Sequence, residues 1–419
     1  MRLNKNGKVS FSIVGFGGRS RAYLNSLINN FKDKIEIKAV CEPDKAKQQE
    51  LITAYGVKEE NIYDYDYQIF DKPRMSDVII IGTLDHLHYQ EVVKFLEKGY
   101  DIILEKPIGT SLEEVLKISK EASKYPNQLV AVCHVLRHTK LFNTIKEIID
   151  SNELGEVVDI QHNENIGYYH FAHSYVRGPW RDSKKSSPII VAKSCHDMDI
   201  LLYLLGDKHA VKISSFGDNK IFNKKNYTNE MSPYCVDCQI EKTCPYSAIK
   251  IYGSKKIKSA VFDLSSVEKI KENLGNSPYG RCVYNCDNDV CDNQVTIIEF
   301  TDGVHATFNM SAFTPKINRS IKVMCRYGEI RALEKPYVIE TTNFKTGETK
   351  IYDLKIKEGG HGGGDEQFII NFMETYMNNK AFNSTLQMSI ESHVMAYLAE
   401  ESRVNNRVIN IEERMKEIM

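Results

Sequence analysis

The sequence predicts two domains of different class. An α/β domain with a parallel sheet covers residues 1–135, and an α+β domain with a large, mostly antiparallel open sheet covers 136–419. Three observations carry this reading. The first is Val9 to Arg21, VSFSIVGFGGRSR, where an apolar β-branched run stops at a glycine turn and a helical pattern begins at once. The second is the alternation of apolar runs and helical patterns up to Pro107, as in successive βα units. The third is the change beyond Gly155 to short segments of alternating polarity, which suit an antiparallel sheet with one covered face. At 419 residues the chain exceeds one ordinary core.

The opening turn sets the first candidate site. Gly15 permits a tight turn, and Gly17 lets the backbone approach a pyrophosphate. Phe16, Gly18 and Arg19 complete the turn, and the following helix offers oriented N–H groups and partial positive charge. Ser20 stands at the third glycine position and is small enough for close helix–strand packing. The second strand, Lys34 to Cys41, ends at Glu42-Pro43-Asp44. An acidic residue there binds ribose hydroxyls and repels a 2′-phosphate, so Glu42 predicts NAD over NADP. Asp77 to Gly82 is a third strand, running into Thr83 and on to His88. Asp101 to Leu104 is a fourth, running into Glu105-Lys106-Pro107, where the proline holds Lys106 in extended backbone. Leu129 to His134 is a further strand, and Thr144 to Asn152 a helix.

The second domain reads as strands over Glu156 to Glu164, Lys212 to Phe216, Gln294 to Phe300, Val304 to Ser311, Ile321 to Cys325 and Gly328 to Ala332. Helical patterns return over Phe368 to Met377 and Met388 to Val404. A net charge of -1 gives no bulk field for nucleic acid or membrane. No run of 18 apolar residues and no signal-peptide pattern is present, so the cytoplasm is the expected location.

Gly15-Phe16-Gly17, Thr83 to His88, Glu105-Lys106-Pro107 and His196-Asp197-Met198-Asp199 together resemble the Gfo/Idh/MocA oxidoreductase family. The resemblance runs over nearly the whole chain. It implies a Rossmann domain followed by an open-sheet domain, with NAD and a sugar-like substrate between them, and homo-oligomers formed through the exposed sheet face. It also implies that Lys106 and His196 attend the reacting hydroxyl. Many members carry an aspartate four residues before that histidine. Here Ala192 stands there with Lys193 beside it, so Lys193 joins the catalytic candidates.

Three further segments carry chemistry. His162 to Arg181 is the densest polar–aromatic stretch and holds Trp180, the only tryptophan. Trp180 suits stacking on a sugar face, and Arg177 can hold an acidic or hydroxyl-rich group. Tyr175 is an acid–base candidate, and His134, Glu164, His173, His196 and Asp197 complete the expected substrate set. His361, in the loop Gly359 to Asp365, is a further substrate candidate. Finally, six of ten cysteines fall between Cys235 and Cys291, in an insertion over about 218–292. Cys235-x2-Cys238-x5-Cys244 with Cys282 as fourth ligand predicts structural zinc in preference to an iron–sulfur cluster. The expected reaction is NAD-dependent oxidation of a carbinol of a sugar or polyol. The alternative is an NAD-dependent glycosidase that oxidises a ring carbon, eliminates the aglycone and recycles its cofactor.

Overall fold

A computed structural model describes residues 7–254, 256–257, 263–356 and 360–418. Gly359, at the start of the predicted histidine loop, lies outside the described residues. The chain divides into two compact units. The first comprises Met1–Asp150, Met198–Leu204 and Leu354–Val394, and the second comprises Ser151–Asp197, Leu205–Asp353 and Met395–Met419.

The first unit opens with β1 (Val9–Val14), α1 (Gly18–Phe31), β2 (Ile35–Cys41), α2 (Lys45–Tyr55) and β3 (Ile62–Tyr63). It continues with β4 (Val78–Ile81), α3 (His88–Glu97), β5 (Asp101–Leu104), α4 (Leu112–Ala122), β6 (Val130–Val132) and α5 (Lys140–Asp150). The six strands pair in the order β3-β2-β1-β4-β5-β6, and all five neighbouring pairs are parallel. Every residue of β1, β4 and β5 is buried, as covering by helices on both faces requires. Asp44 caps α2 by accepting from the backbone N–H groups of Ala46 and Lys47, and Gly56 ends it in the left-handed conformation.

The second unit is built on β7 (Val157–Asn165), α6 (Cys195–Leu205, whose residues from Met198 to Leu204 belong to the first unit), β8 (Ala210–Asp218), α7 (Ala248–Gly253) and α8 (Val267–Gly275). It then runs through β9 (Asn293–Phe300), β10 (His305–Ser311), β11 (Asn318–Cys325), β12 (Gly328–Leu333), β13 (Val338–Asn343) and β14 (Thr349–Asp353). After α9 (Gly364–Met377) and α10 (Leu386–Asn405) come β15 (Ile409–Asn410) and α11 (Ile411–Ile418). The nine strands lie in the order β14-β13-β12-β11-β7-β10-β9-β8-β15, with only β10 and β7 parallel. Strand β11 alternates strictly between half-buried and buried residues, so one face is covered.

Helix α9 packs in the first unit. Phe368, Ile369, Phe372, Met373 and Tyr376 join Tyr23, Leu24 and Leu27 of α1 and Ile13 and Ile80 of the sheet in one core. Tyr376 also donates its hydroxyl to Asp101 at 2.7 Å, fixing the helix to the start of β5. No helix among the described residues is long and apolar enough to cross a membrane.

Glycines at the end of β1 and β4 close the sheet edge. A Cβ on Gly82 would lie 2.1 Å from Ser20 Oγ, whereas a Cβ on Gly18 would meet nothing within 4 Å. Gly82→Ala is therefore expected to cost about 1–3 kcal/mol in urea unfolding. Gly18→Ala should be neutral or slightly stabilising.

Candidate active site

Parallel strands end on the same side, so the loops after β1, β2, β4 and β5 gather at one sheet edge in the first unit. Gly15 takes φ +78°, and a Cβ there would fall 2.7 Å from the carbonyl oxygen of Gly82. Only glycine fits that approach. Helix α1 starts at Gly18, and Gly17 before it brings no side chain to cap it, so its first N–H groups are available to an anion. A Cβ on Gly18 would meet nothing within 4 Å, and one on Gly17 only the Gly82 carbonyl oxygen at 4.0 Å.

Glu42 is buried at the end of β2. Its carboxylate accepts from the Phe16 N–H at 2.9 Å and from the Asp44 N–H at 3.1 Å, and Lys47 Nζ lies 3.3 Å away. The acidic group predicted for ribose is thus fixed directly to the glycine turn. Arg19 is held by carboxylates on two sides. Its Nε donates to Glu105 at 3.1 Å, and its two terminal nitrogens donate to Asp365 at 2.7 and 2.8 Å. Tyr23 donates to the same Glu105. His361, at φ +47°, places Nδ1 2.8 Å from Asp365. Although burial raises its pKa, the nearby His361 and Arg19 hold the Asp365 carboxyl well below the usual range.

Thr83 donates to Glu91 at 2.5 Å. Burial pushes the Glu91 carboxyl up to about 8, so it is protonated near neutrality. Lys106 is half-buried and follows Glu105 at the end of β5. The segment after it is clamped by histidines: His88 Nδ1 lies 2.8 Å from Pro107 O, and His393 Nε2 accepts from the Ile108 N–H at 3.1 Å. His134 is fully buried, with Nε2 3.8 Å from Asp199, and Asp199 takes both forks of Arg137 at 2.7 Å. Burial and the neighbouring Arg137 and Lys106 keep His134 neutral.

In the second unit the register sets Arg319 of β11 opposite Glu164 of β7, and Ile321 opposite His162. Arg319 donates to Asp197 at 2.7 Å and reaches Glu164 at 2.5 Å. His162 Nε2 is 2.8 Å from Asp197, and Lys193 Nζ is 2.8 Å from Glu164. Glu164 and Asp197 are fully buried, and His196 sits beside Asp197 on the first turn of α6, 3% exposed. Burial opposes ionisation of Asp197, but Arg319 and His162 overcome it and hold the carboxyl far below its usual range. The structure therefore gathers Glu164, Lys193 and Asp197 into one ion network.

The remaining candidates in this unit sit in or against the cysteine insertion. His173 Nδ1 is 2.8 Å from the Tyr252 hydroxyl, and its ring stacks on Tyr279 at 4.8 Å. Burial and Arg177 lower its pKa to about 4, so it is neutral. Tyr175 is buried between the rings of Phe171, His170 and a half-buried Trp180. Arg177 is fully buried and donates to the carbonyl of Arg281 at 2.8 Å and of Tyr246 at 2.9 Å. Its guanidinium is committed to the insertion. All ten cysteines are free thiols. As placed, no group of three His, Cys, Asp or Glu among the described residues could hold a metal ion, so the predicted cysteine ligands are not assembled as a metal centre.

The sequence patterns gave no role to Arg319, Arg137, Glu91 or His393. For Arg319 a signal existed. It occupies an inward position of the alternating strand Asn318–Cys325, followed inward by Ile321, Val323 and Cys325. A charge at such a position demands a buried counter-charge.

An oxidoreductase family's NAD-binding Rossmann-fold model matches residues 9–134, and the C-terminal alpha/beta domain of the same family matches residues 146–411. The Bacillus subtilis protein YteT is 24% identical over 383 residues, covering 84% of this chain and 86% of that one. The scyllo-inositol 2-dehydrogenase (NAD(+)) of the same organism is 28% identical over 221 residues, spanning 52% of this chain and 58% of the relative. Among solved structures, scyllo-inositol dehydrogenase from Lactobacillus casei with bound NAD(H) and scyllo-inositol has a TM-score of 0.68 at 14% identity, over 97% of this chain and 99% of that one. That likeness shows the fold.

Two expectations follow from the buried charges. Arg319→Met takes the guanidinium away from two buried carboxylates, Asp197 and Glu164, and should cost about 3–5 kcal/mol at neutral pH. The depressed Asp197 pKa stabilises the fold above the unfolded carboxylate pKa and loses that contribution as pH falls below about 4. The gap between wild type and variant in urea midpoints should accordingly shrink on acidification. Glu91 has the opposite sign. Its raised pKa favours the fold below about pH 4.5, and that contribution is lost as pH rises towards 8. Glu91→Gln should thus raise the thermal midpoint above pH 7, by a free energy on the order of 1–2 kcal/mol.

Proposed function

This chain belongs to the Gfo/Idh/MocA oxidoreductase family, and we propose that it oxidises a carbinol carbon of a sugar or polyol with NAD. One observation supports this above the others. Four parallel strand ends bring the Gly15–Ser20 turn, Glu42, Thr83 and Glu105-Lys106 to a single sheet edge. The residues there fit a dinucleotide: an uncapped helix N-terminus, open space at Gly18, and a carboxylate anchored where an adenosine ribose would lie. NAD, when bound, supplies the hydride acceptor.

In this reading the turn Gly15 to Ser20 holds the diphosphate, and Glu42 selects the free 2′-hydroxyl. Thr83 and His88 line the nicotinamide half. Glu105 is restrained by Arg19 and Tyr23, and it in turn fixes the backbone N–H of Lys106 at 3.1 Å. The Lys106 ammonium stabilises the alkoxide that forms as the hydroxyl proton departs, and His196 takes that proton. Lys193 acts through Glu164, setting the charge of the segment that carries His196. Tyr175, His173 and Trp180 shape the sugar side. A polyol is favoured as substrate class because relatives named for scyllo-inositol and inositol oxidation recur among the matches.

The test is turnover of NAD against a panel of inositols and hexoses. Lys106→Ala should lower kcat by about 10²–10⁴ while binding NAD within a few-fold of wild type. Unchanged kcat in the variant, or cleavage of an aryl glycoside with no net NADH, would overturn this assignment.

A further inference from the structure

We propose that Cys235, Cys238, Cys244 and Cys282 form a structural zinc site whose charge answers the buried guanidinium of Arg177. The inference concerns the insertion alone and does not depend on the reaction proposed above.

Two segments meet to make the site. The C-x2-C turn closes through the Cys238 N–H donating to Cys235 O at 3.4 Å. The distant Cys282 is brought alongside by a bridge between Tyr234 and Arg281 and by its own N–H donating to Pro233 O at 2.8 Å. All four thiols line one cavity, walled further by Tyr246 and Tyr284. Its accessible volume is about 10 Å³, room for one ion-sized or water-sized occupant and no organic ligand. As placed, no three of the four thiols form an ion-holding group, so binding requires the cysteine side chains to adjust.

Arg177 gives an independent reason for an anion here. It is fully buried, yet among the described residues no carboxylate forms an ion pair with it. Its Nε and Nη2 meet backbone carbonyls, and Nη2 also lies 3.7 Å from Cys235 Sγ. Its Nη1 is buried with no hydrogen-bond partner. A buried cation without a counter-charge is costly. Four thiols that release their protons to solvent and form four zinc–sulfur bonds leave a net negative centre. That centre supplies the missing charge, and N–H···S contacts from Arg177 would tune it. The ion would also fix the platform on which His173 rests, because Tyr252 and Tyr279 belong to the same insertion.

The experiment is elemental analysis of the full chain, purified without chelator, followed by cobalt replacement. Wild type and Cys325→Ser, a buried cysteine on β11 outside the insertion, should each carry one zinc per chain. Cys238→Ser and Cys282→Ser should lose it, and Arg177→Met should retain zinc 10–100-fold less tightly. Cobalt-loaded wild type should show sulfur-to-metal charge-transfer absorption, a readout that stands even if the variants fail to fold. A chain that takes up neither zinc nor cobalt, or that carries iron with sulfide instead, overturns the assignment.

Discussion

Gly15 and Gly82 meet backbone to backbone, and the nucleotide edge of the first unit depends on that contact. With a side chain at either position, the turn after β1 could not sit against the end of β4, nor could Ser20 fill the space beside Gly82. The same approach sets the start of α1. From there the Phe16 N–H reaches Glu42 and Arg19 reaches Glu105 and Asp365. A local steric allowance is thereby converted into the placement of charged groups from the ends of β2 and β5, from α1 and from the first turn of α9.

The second unit solves a different problem. Its sheet turns charged residues inward, and the register pairs them: Arg319 meets Glu164 across strands, Asp197 meets Arg319 and His162, and Lys193 meets Glu164. Buried ion networks of this kind contribute little net stability compared with apolar packing. This one does keep the Asp197 carboxylate ionised against its own burial, one residue from His196. Arg177 departs from the pattern. Its guanidinium has carbonyls and a sulfur around it where the other buried cations have carboxylates.

Much of this was legible in the sequence. The glycine turn, the strand over Asp101–Leu104 and the apolar Val78–Ile81 announce themselves by composition and spacing, and the structure places elements there. The inward faces of Ala210–Asp218 and Asn293–Phe300 follow from alternation. The hairpin Val338–Asn343 and Thr349–Asp353 was not legible, because β13 buries only Ile339 and Thr341 and β14 has no buried residue. Helical periodicity in Gly364–Met377 says that a stripe is buried but not against what. Site residues fared by the same logic. Motif positions could be read from spacing, whereas Arg319, His393 and Glu91 are paired through tertiary contacts that no local pattern encodes. Arg177 shows the converse: an aromatic-rich context suggested ligand contact, and burial beneath the insertion gives the side chain structural work.

The central claim is that the edge built on Gly15, Gly17 and Glu42 holds NAD. Calorimetric titration of the purified chain with NAD and with NADP tests it most directly. The account predicts one saturable site per chain, with NAD bound at least about tenfold more tightly, a difference of roughly 1.4 kcal/mol. No saturable heat with either nucleotide, or equal affinity for both, would contradict it.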